Sequence, residues 1–447
     1  MKQLLAYCLS IILCVSFTGC MENYLDLYPE DKITSASFPE NESDIKLLLN
    51  GVYAQLREKE VYNQGLFGFG ITDGATPNAF NWGTDEVFNK LGAGRLSSSD
   101  GGVVTYRWKR CYEIISRANY LLACMDLVDL SEEAKAKYSG ETHFLRGLAY
   151  SVLVETYGRV PIILTDISTE EARSLKRASL EETWQQALDD YEVAITNLGV
   201  DAPEPGRATK GAALGMKMRA YLYQGKYKEV LSCVEQIDAL KKYGLFHSYE
   251  GLFDPANENN KEVLFDIQYI EGENSQGSYI DQYCGTGTGS WTRGSRYVPT
   301  DDLVAAYETI DGSPVDPENP YENRDPRLGF TAVLPGSYFL GYRFPNYLYP
   351  GGAFNHAGNR LKHLSTRKYR IQDESKLPPS GQSYINDIIL RYADVLLSKA
   401  EAIIETNGNV ADAIAILNRI RTERDDVKIS LLPTSMSREE AREKVRH

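Results

Sequence analysis

Tryptophan, asparagine and tyrosine gather in two segments that helical periodicity does not claim. One is Asp73-Gly74-Ala75-Thr76-Pro77-Asn78-Ala79-Phe80-Asn81-Trp82; the other carries Tyr279, Tyr283, Trp291, Arg293, Arg296 and Tyr297. An indole or phenol ring offers a flat face on which the C–H patches of a sugar can stack, and amide or guanidinium groups at its edge can bond the hydroxyls. The chain holds 30 Tyr against 14 Phe, so most of its aromatic surface has a polar rim. Trp82 and Trp291 are the leading ligand candidates. Asn78, Asn81 and Arg293 follow as hydrogen-bond partners, with Asp73, Tyr283 and Tyr297 in support. Rings in loops also serve to plug those loops onto a core. Trp108 and Trp184 fall on helical stripes and are assigned to packing.

The common catalytic constellations are missing. The histidines are His143, His247, His356, His363 and His447, with no pair at i,i+4, no H-E-x-x-H and no C-x-x-C, so no metal or cofactor is expected. There is no G-x-S-x-G elbow and no phosphate-binding G-x-x-x-x-G-K-[ST] loop. Gly285-Thr286-Gly287-Thr288-Gly289 leads into Ser290-Trp291 with no helical stripe behind it, and reads as a loop. Carboxylate pairs can always be drawn as acid and base, which keeps a glycoside hydrolase as an alternative to a binding protein.

The elements that must position these residues are mostly helical. Apolar stripes at Ile45, Leu48, Leu49, Val52 and Leu56, at Trp108, Cys111, Tyr112, Ile115, Ala118 and Leu122, and at Phe144, Leu148 and Val152 predict three helices, the last closed by Tyr157-Gly158. Ser179-Leu180-Glu181-Glu182 is a capping box before Trp184, Leu188, Tyr191 and Ile195. Two helix pairs of the tetratricopeptide kind are expected. One turns at Gln224-Gly225-Lys226 between Ala213 and Ile237, the other at Asn407-Gly408-Asn409 between Ile389 and Ile420. Any helical bundle offers similar pairs, so a repeat protein that binds only other proteins is a further alternative. Between the pairs, from about Tyr269 to Ser383, lies a stretch rich in Gly, Pro, Tyr and Asn, where binding loops are expected.

The N-terminus reads as a processing signal. Lys2 precedes an uncharged run from Leu4 to Phe17, too short to span a bilayer, and Thr18-Gly19-Cys20 resembles a lipobox in which Cys20 becomes the acylated first residue. Multiple acylation there would hold the chain on a membrane without spanning it. The net charge of −14 argues against nucleic acid and against a polybasic membrane contact. Cys111 and Cys124 stand thirteen residues apart on one predicted helix, roughly 20 Å at 1.5 Å per residue, so they cannot bridge each other and read as small buried hydrophobes.

Five motifs in order resemble the SusD/RagB family, and the resemblance covers nearly the whole mature chain. They are Tyr24-Leu25-Asp26 with Pro29; Glu141-Thr142-His143-Phe144-Leu145-Arg146-Gly147-Leu148-Ala149-Tyr150 with Tyr157-Gly158-Arg159-Val160-Pro161; Gly206-Arg207-Ala208-Thr209-Lys210; Asn323-Arg324-Asp325-Pro326-Arg327; and Leu390-Arg391-Tyr392-Ala393-Asp394-Val395-Leu396-Leu397. Gly147 stands where Ala is usual, and Asp394, Ser398 and Lys399 also depart from the commoner residues. The Asn323–Arg327 motif reads as a pinned loop, its arginines donating to carboxylates or carbonyls.

What the resemblance implies is a mainly α, tetratricopeptide-like scaffold with long irregular Tyr-, Gly- and Pro-rich binding loops. It implies a signal over 1–19, an N-terminal region over 20–240 and a C-terminal region over 241–447, packed as one unit. It further implies a lipid-anchored, surface-facing outer-membrane protein, not an enzyme, that passes a glycan, or in some members a peptide, to a SusC-like TonB-dependent transporter. Ser437-Arg438-Glu439-Glu440 opens a last helix of about ten residues, which needs something to pack on it. Family members usually continue beyond this point, so a truncated product is expected.

Overall fold

The computed structural model describes residues 38–57, 73–81, 90–97, 99–271, 277–278, 280, 297–340, 342–343, 364–369, 371, 373–379 and 382–447. Helix α1 (Glu42–Ala54) is capped by Asn41, whose side chain accepts from the amides of Ser43 and Asp44, and it buries Ile45, Leu49 and Val52 as the spacing predicts. Helices α2 (Val103–Cys124) and α3 (Glu132–Tyr157) follow. In α3 every residue from Phe144 to Val154 is buried, so it is a central helix covered on all sides. It ends at Gly158, whose φ of +71° is one that L side chains rarely adopt.

After the short α4 (Thr169–Ser174), helix α5 (Leu180–Asn197) begins at the Ser179/Glu182 capping box and packs along α3. Gly147 makes that approach possible. A Cβ there would stand 3.1 Å from Asp190 Cβ and from the Tyr191 ring, and 3.2 Å from the Ala187 carbonyl. One residue earlier Arg146 reaches both neighbours: its Nη2 lies 2.7 Å from Asp190 Oδ1 on α5, and its Nη1 donates to Asn119 Oδ1 on α2 at 2.8 Å.

The first predicted hairpin is α6 (Lys210–Tyr223) and α7 (Tyr227–Ala239), joined by the turn at Gly225. Strand β1 (Ala79–Asn81) lies earlier in the chain, and β2 (Val263–Ile267) follows α7. The described residues of the Tyr269–Ser383 stretch hold more regular structure than its composition suggests. They include β3 (Tyr297–Pro299), α8 (Asp301–Ala306), α9 (Pro326–Thr331), β4 (Ala332–Val333), β5 (Tyr338–Phe339), β6 (Tyr342–Arg343) and β7 (Ser365–Thr366). Strand β8 (Asp387–Arg391) then returns antiparallel to β2, with Ile267 opposite Asp387, so the whole excursion leaves from and re-enters one strand pair.

The Asn323–Arg327 motif is a pinned turn, bridged at Arg324 to Thr309, that leads into α9 at Pro326. Asp325 caps α9, Pro326 occupies the first turn where no amide partner is needed, and Arg327 folds back onto Asp325. Arg324 does bind carbonyls, those of Pro320, Val304 and Tyr307, at 2.5–2.7 Å.

Helices α10 (Tyr392–Glu405) and α11 (Val410–Thr422) form the second hairpin, and α10 packs on α7. The last helix, α12 (Arg438–Arg446), is held by what it packs on. Ala441 is fully buried, Arg438 donates to the carbonyls of Ile404 and Gly408, and Arg442 pairs with Glu405 at 2.6 Å. One hydrophobic cluster runs from Ile45 through Phe144, Val234 and Leu390 to Ala441. Cys111, Cys124 and Cys233 are buried free thiols.

Candidate functional site

The described ends of the two candidate segments meet. Asp73 opens a 3-10 turn to Ala75, and its carbonyl accepts from the Thr76 amide at 3.0 Å and the Thr76 hydroxyl at 2.9 Å. The chain then extends as β1 and pairs antiparallel with β3 in the register Ala79 to Pro299, Phe80 to Val298 and Asn81 to Tyr297. Thr300 ties the ends together. Its amide donates to the Asn78 carbonyl at 3.1 Å, its hydroxyl donates to the Pro77 carbonyl, and the same hydroxyl accepts from Leu303 to cap α8.

Asp73, Asn78, Asn81 and Tyr297 therefore belong to one small ribbon. Asn78 is exposed, and Phe80, not among the sequence candidates, shows 49 % of its surface. Trp82, Tyr283, Trp291 and Arg293 lie outside the described residues, as does Cys20. Their chain neighbours are on the ribbon: Trp82 follows Asn81, and the 283–293 segment leads into Tyr297.

Strand β3 lies against β7, which pairs with β4, and the chain leaving β7 lines a cavity of about 410 Å³. Phe253, Phe330 and Tyr369 supply its rings, Glu250, Asp254, Arg367 and Lys368 its charges. Phe253 and Tyr369 meet edge to face at 4.9 Å, and Lys368 Nζ sits 4.4 Å from the Phe253 centroid. Arg367 pairs with Glu250 at 2.5 Å. Sequence reasoning missed this aromatic enclosure, whose rings come from separate segments with no shared period. Burial pushes the Asp73 carboxyl up, and the charge of Lys368 opposes that shift.

Strands β2 and β8, with the residues flanking them, carry a polar network. Asn386 donates its amide to Glu258 Oε1 at 2.7 Å and its Nδ2 to Asp266 Oδ2 at 3.1 Å, while its Oδ1 accepts from the Tyr269 amide at 2.9 Å. Burial raises Glu258 to about 7 and Asp266 to about 6. Burial, followed by the charges of Asp266 and Asp73, raises Asp387 to about 7.

Carboxyls titrate near 4 in the unfolded chain, so the folded state holds these protons more tightly. The stability they contribute is whole below about pH 4 and is lost as pH rises through 6 to 7. His143, lowered by burial, acts in the opposite sense. Glu308, held down to about 2 against burial by Lys444 and Arg421, changes only in acid. Thermal melts should therefore show stability falling between pH 5 and pH 8, by at most about 1.4 kcal/mol for each pH unit over which one of these carboxyls titrates. A profile that is flat or rising over that range would show these carboxylates to be ionised at no cost.

Among the described residues, no group of three or more His, Cys, Asp or Glu side chains is arranged to hold a metal ion, and no helix is long and apolar enough to cross a membrane.

Comparison with known proteins gives a consistent result. The family model described as SusD family matches residues 261–447, and one described as "Starch-binding associating with outer membrane" matches residues 23–222. SusD-like protein P25 of Formosa agariphila is 26 % identical, over 94 % of this chain and 81 % of that protein. A SusD-like carbohydrate binding protein from Bacteroides fragilis superposes with a TM-score of 0.80 at 27 % identity, over 91 % of this chain and 82 % of that one. A second SusD-like protein from the same species gives 0.79 at 26 %, over 94 % and 85 %.

Proposed function

From the premise that this chain belongs to the SusD family, we propose that it is a carbohydrate-binding lipoprotein of the outer membrane that delivers an oligosaccharide to a SusC-like TonB-dependent transporter. The reading is supported above all by the β1–β3 ribbon, which pairs the described ends of the two Trp-bearing segments beside a strand that leads into an aromatic cavity. A glycan needs flat faces together with edge donors, and Trp82 and Trp291 flanked by Asn78, Asn81, Arg293, Tyr283 and Tyr297 would provide them, with Asp73 behind. Attachment through an acylated Cys20 would leave the helical body free to cap a transporter.

Calorimetric titration with a panel of oligosaccharides, combined with product analysis, tests this. Saturable binding without product release is expected. Release of shortened sugars would make the protein a hydrolase, and absence of any glycan binding would favour a surface for peptides or for another protein. Separately, Cys20→Ala is expected to leave the precursor uncleaved and without fatty-acid label. Normal lipid labelling of that variant would place the anchor elsewhere.

A further inference from the structure

The aromatic cavity lined by the chain leaving β7 carries both signs of charge in equal number. Among the described residues its acids are Glu250 and Asp254, its bases Arg367 and Lys368. Glu250 and Arg367 hold each other as an ion pair, yet Arg367 Nε is buried without a hydrogen-bond partner and only one Glu250 oxygen is engaged by the pair. Lys368 makes no ion pair among the described residues; its ammonium lies 4.4 Å from the Phe253 centroid and 5.5 Å from that of Tyr369. Asp254 accepts the Ala256 amide at 2.8 Å through one oxygen. Phe330, half-buried and backed by the Tyr249 ring at 6.4 Å, is the ring with a face to offer, since Phe253 and Tyr369 are only 7 % and 6 % exposed.

The surroundings do not tip this balance toward positive. Asp426 accepts from the Ser248 hydroxyl and from the amides of Tyr249 and Glu250, and Asp73 is close enough to feel the charge of Lys368. The further cations around Tyr249 are paired: Arg327 with Asp325, Arg391 and Arg424 with Glu262. With these included, six carboxylates stand against five cations. A charged ligand would lose its hydration here and gain no net field in return, whereas a hydroxyl both donates and accepts and can satisfy an acid and a base at once.

We propose that this cavity holds a neutral sugar ring, so that the protein selects uncharged glycans over those bearing uronate or sulfate groups. The proposal rests on the reading of the chain as a glycan-binding protein and names the class of glycan. The hydroxyls accept from Arg367 and Lys368 and donate to Glu250 and Asp254, while the C–H face of the ring lies on Phe330.

The full chain is titrated by calorimetry at low salt with maltohexaose, laminarihexaose, xylohexaose and mannohexaose, with the sulfated form of whichever binds best, and with hexagalacturonate and its methyl ester. A neutral hexaose is expected to bind, its sulfated form at least about tenfold more weakly, and hexagalacturonate more weakly than its ester. Asp254→Asn retains an acceptor for the Ala256 amide and leaves the lining positive by one charge, so the gap between neutral and sulfated hexaose should narrow severalfold. Phe330→Ala and Lys368→Met should each weaken the neutral hexaose severalfold, with the protein still folded by its thermal melt. Tightest binding of hexagalacturonate or of a sulfated hexaose would overturn the proposal and leave the glycan reading standing. Unaltered affinity in both the Phe330 and Lys368 variants would place the sugar outside this cavity and overturn it equally. Binding of no hexaose, neutral or acidic, would remove the glycan reading itself and the proposal with it.

Discussion

Glu262→Ala is expected to destabilise the protein by about 3–5 kcal/mol, the loss typical of one partner removed from a buried ion pair. Glu262 is fully buried at the base of the loop excursion. One oxygen holds Arg391 and Arg424, and the other accepts the Phe246 amide at 2.7 Å. Burial opposes its ionisation, yet the two guanidinium groups keep it below the ordinary carboxylate range. Truncation leaves two charges without a counter-ion and one amide without an acceptor, and Arg424 keeps only the Phe246 carbonyl. Glu262→Gln should be milder, since its carbonyl oxygen can still accept one bond. Urea unfolding of both variants measures the difference. A loss under about 1 kcal/mol for the alanine variant would mean that the arginines find other acceptors.

Trp82→Ala and Trp291→Ala should each lower glycan affinity severalfold or more while leaving helical content and melting temperature nearly unchanged. A sugar face stacked on an indole is worth on the order of 1 kcal/mol or more, and each 1.4 kcal/mol is about tenfold in affinity. Neither ring belongs to a helical stripe, unlike Trp184, which is 9 % exposed on α5, or Trp108, which packs between Tyr112 and Tyr157 at 5.0 and 5.1 Å. Calorimetry with the glycan that binds the unaltered protein, alongside thermal melts, decides the matter. Unchanged affinity in both variants, or binding lost only through unfolding, would remove these loops from the site.

The helices were legible because their information is local. Ile45, Leu49 and Val52, or Ser179 and Glu182, lie within one or two turns of each other, and spacing alone reveals the face or cap they form. The two hairpins, with positive φ at Gly225 and at Asn407, were legible for the same reason. The ribbon was not. Strands of three residues are too short to show alternation, and nothing near Asn81 announces Tyr297 as its partner. The aromatic enclosure was hidden likewise, since Phe253, Phe330 and Tyr369 become neighbours only after the chain has folded. Gly147 was visible only as a departure from the usual Ala, and the close approach of α5 supplies its reason.

The bond from Thr300 to the Pro77 carbonyl joins residues 223 apart in sequence. Closing so long a loop costs entropy that only an already folded scaffold can repay, so α1 to α7 should form well before the ribbon does. On a chain made from its N-terminus, β1 and β3 come together only after two thirds of the polypeptide has emerged. On the proposed function, competence to hold ligand is then among the last properties the molecule acquires.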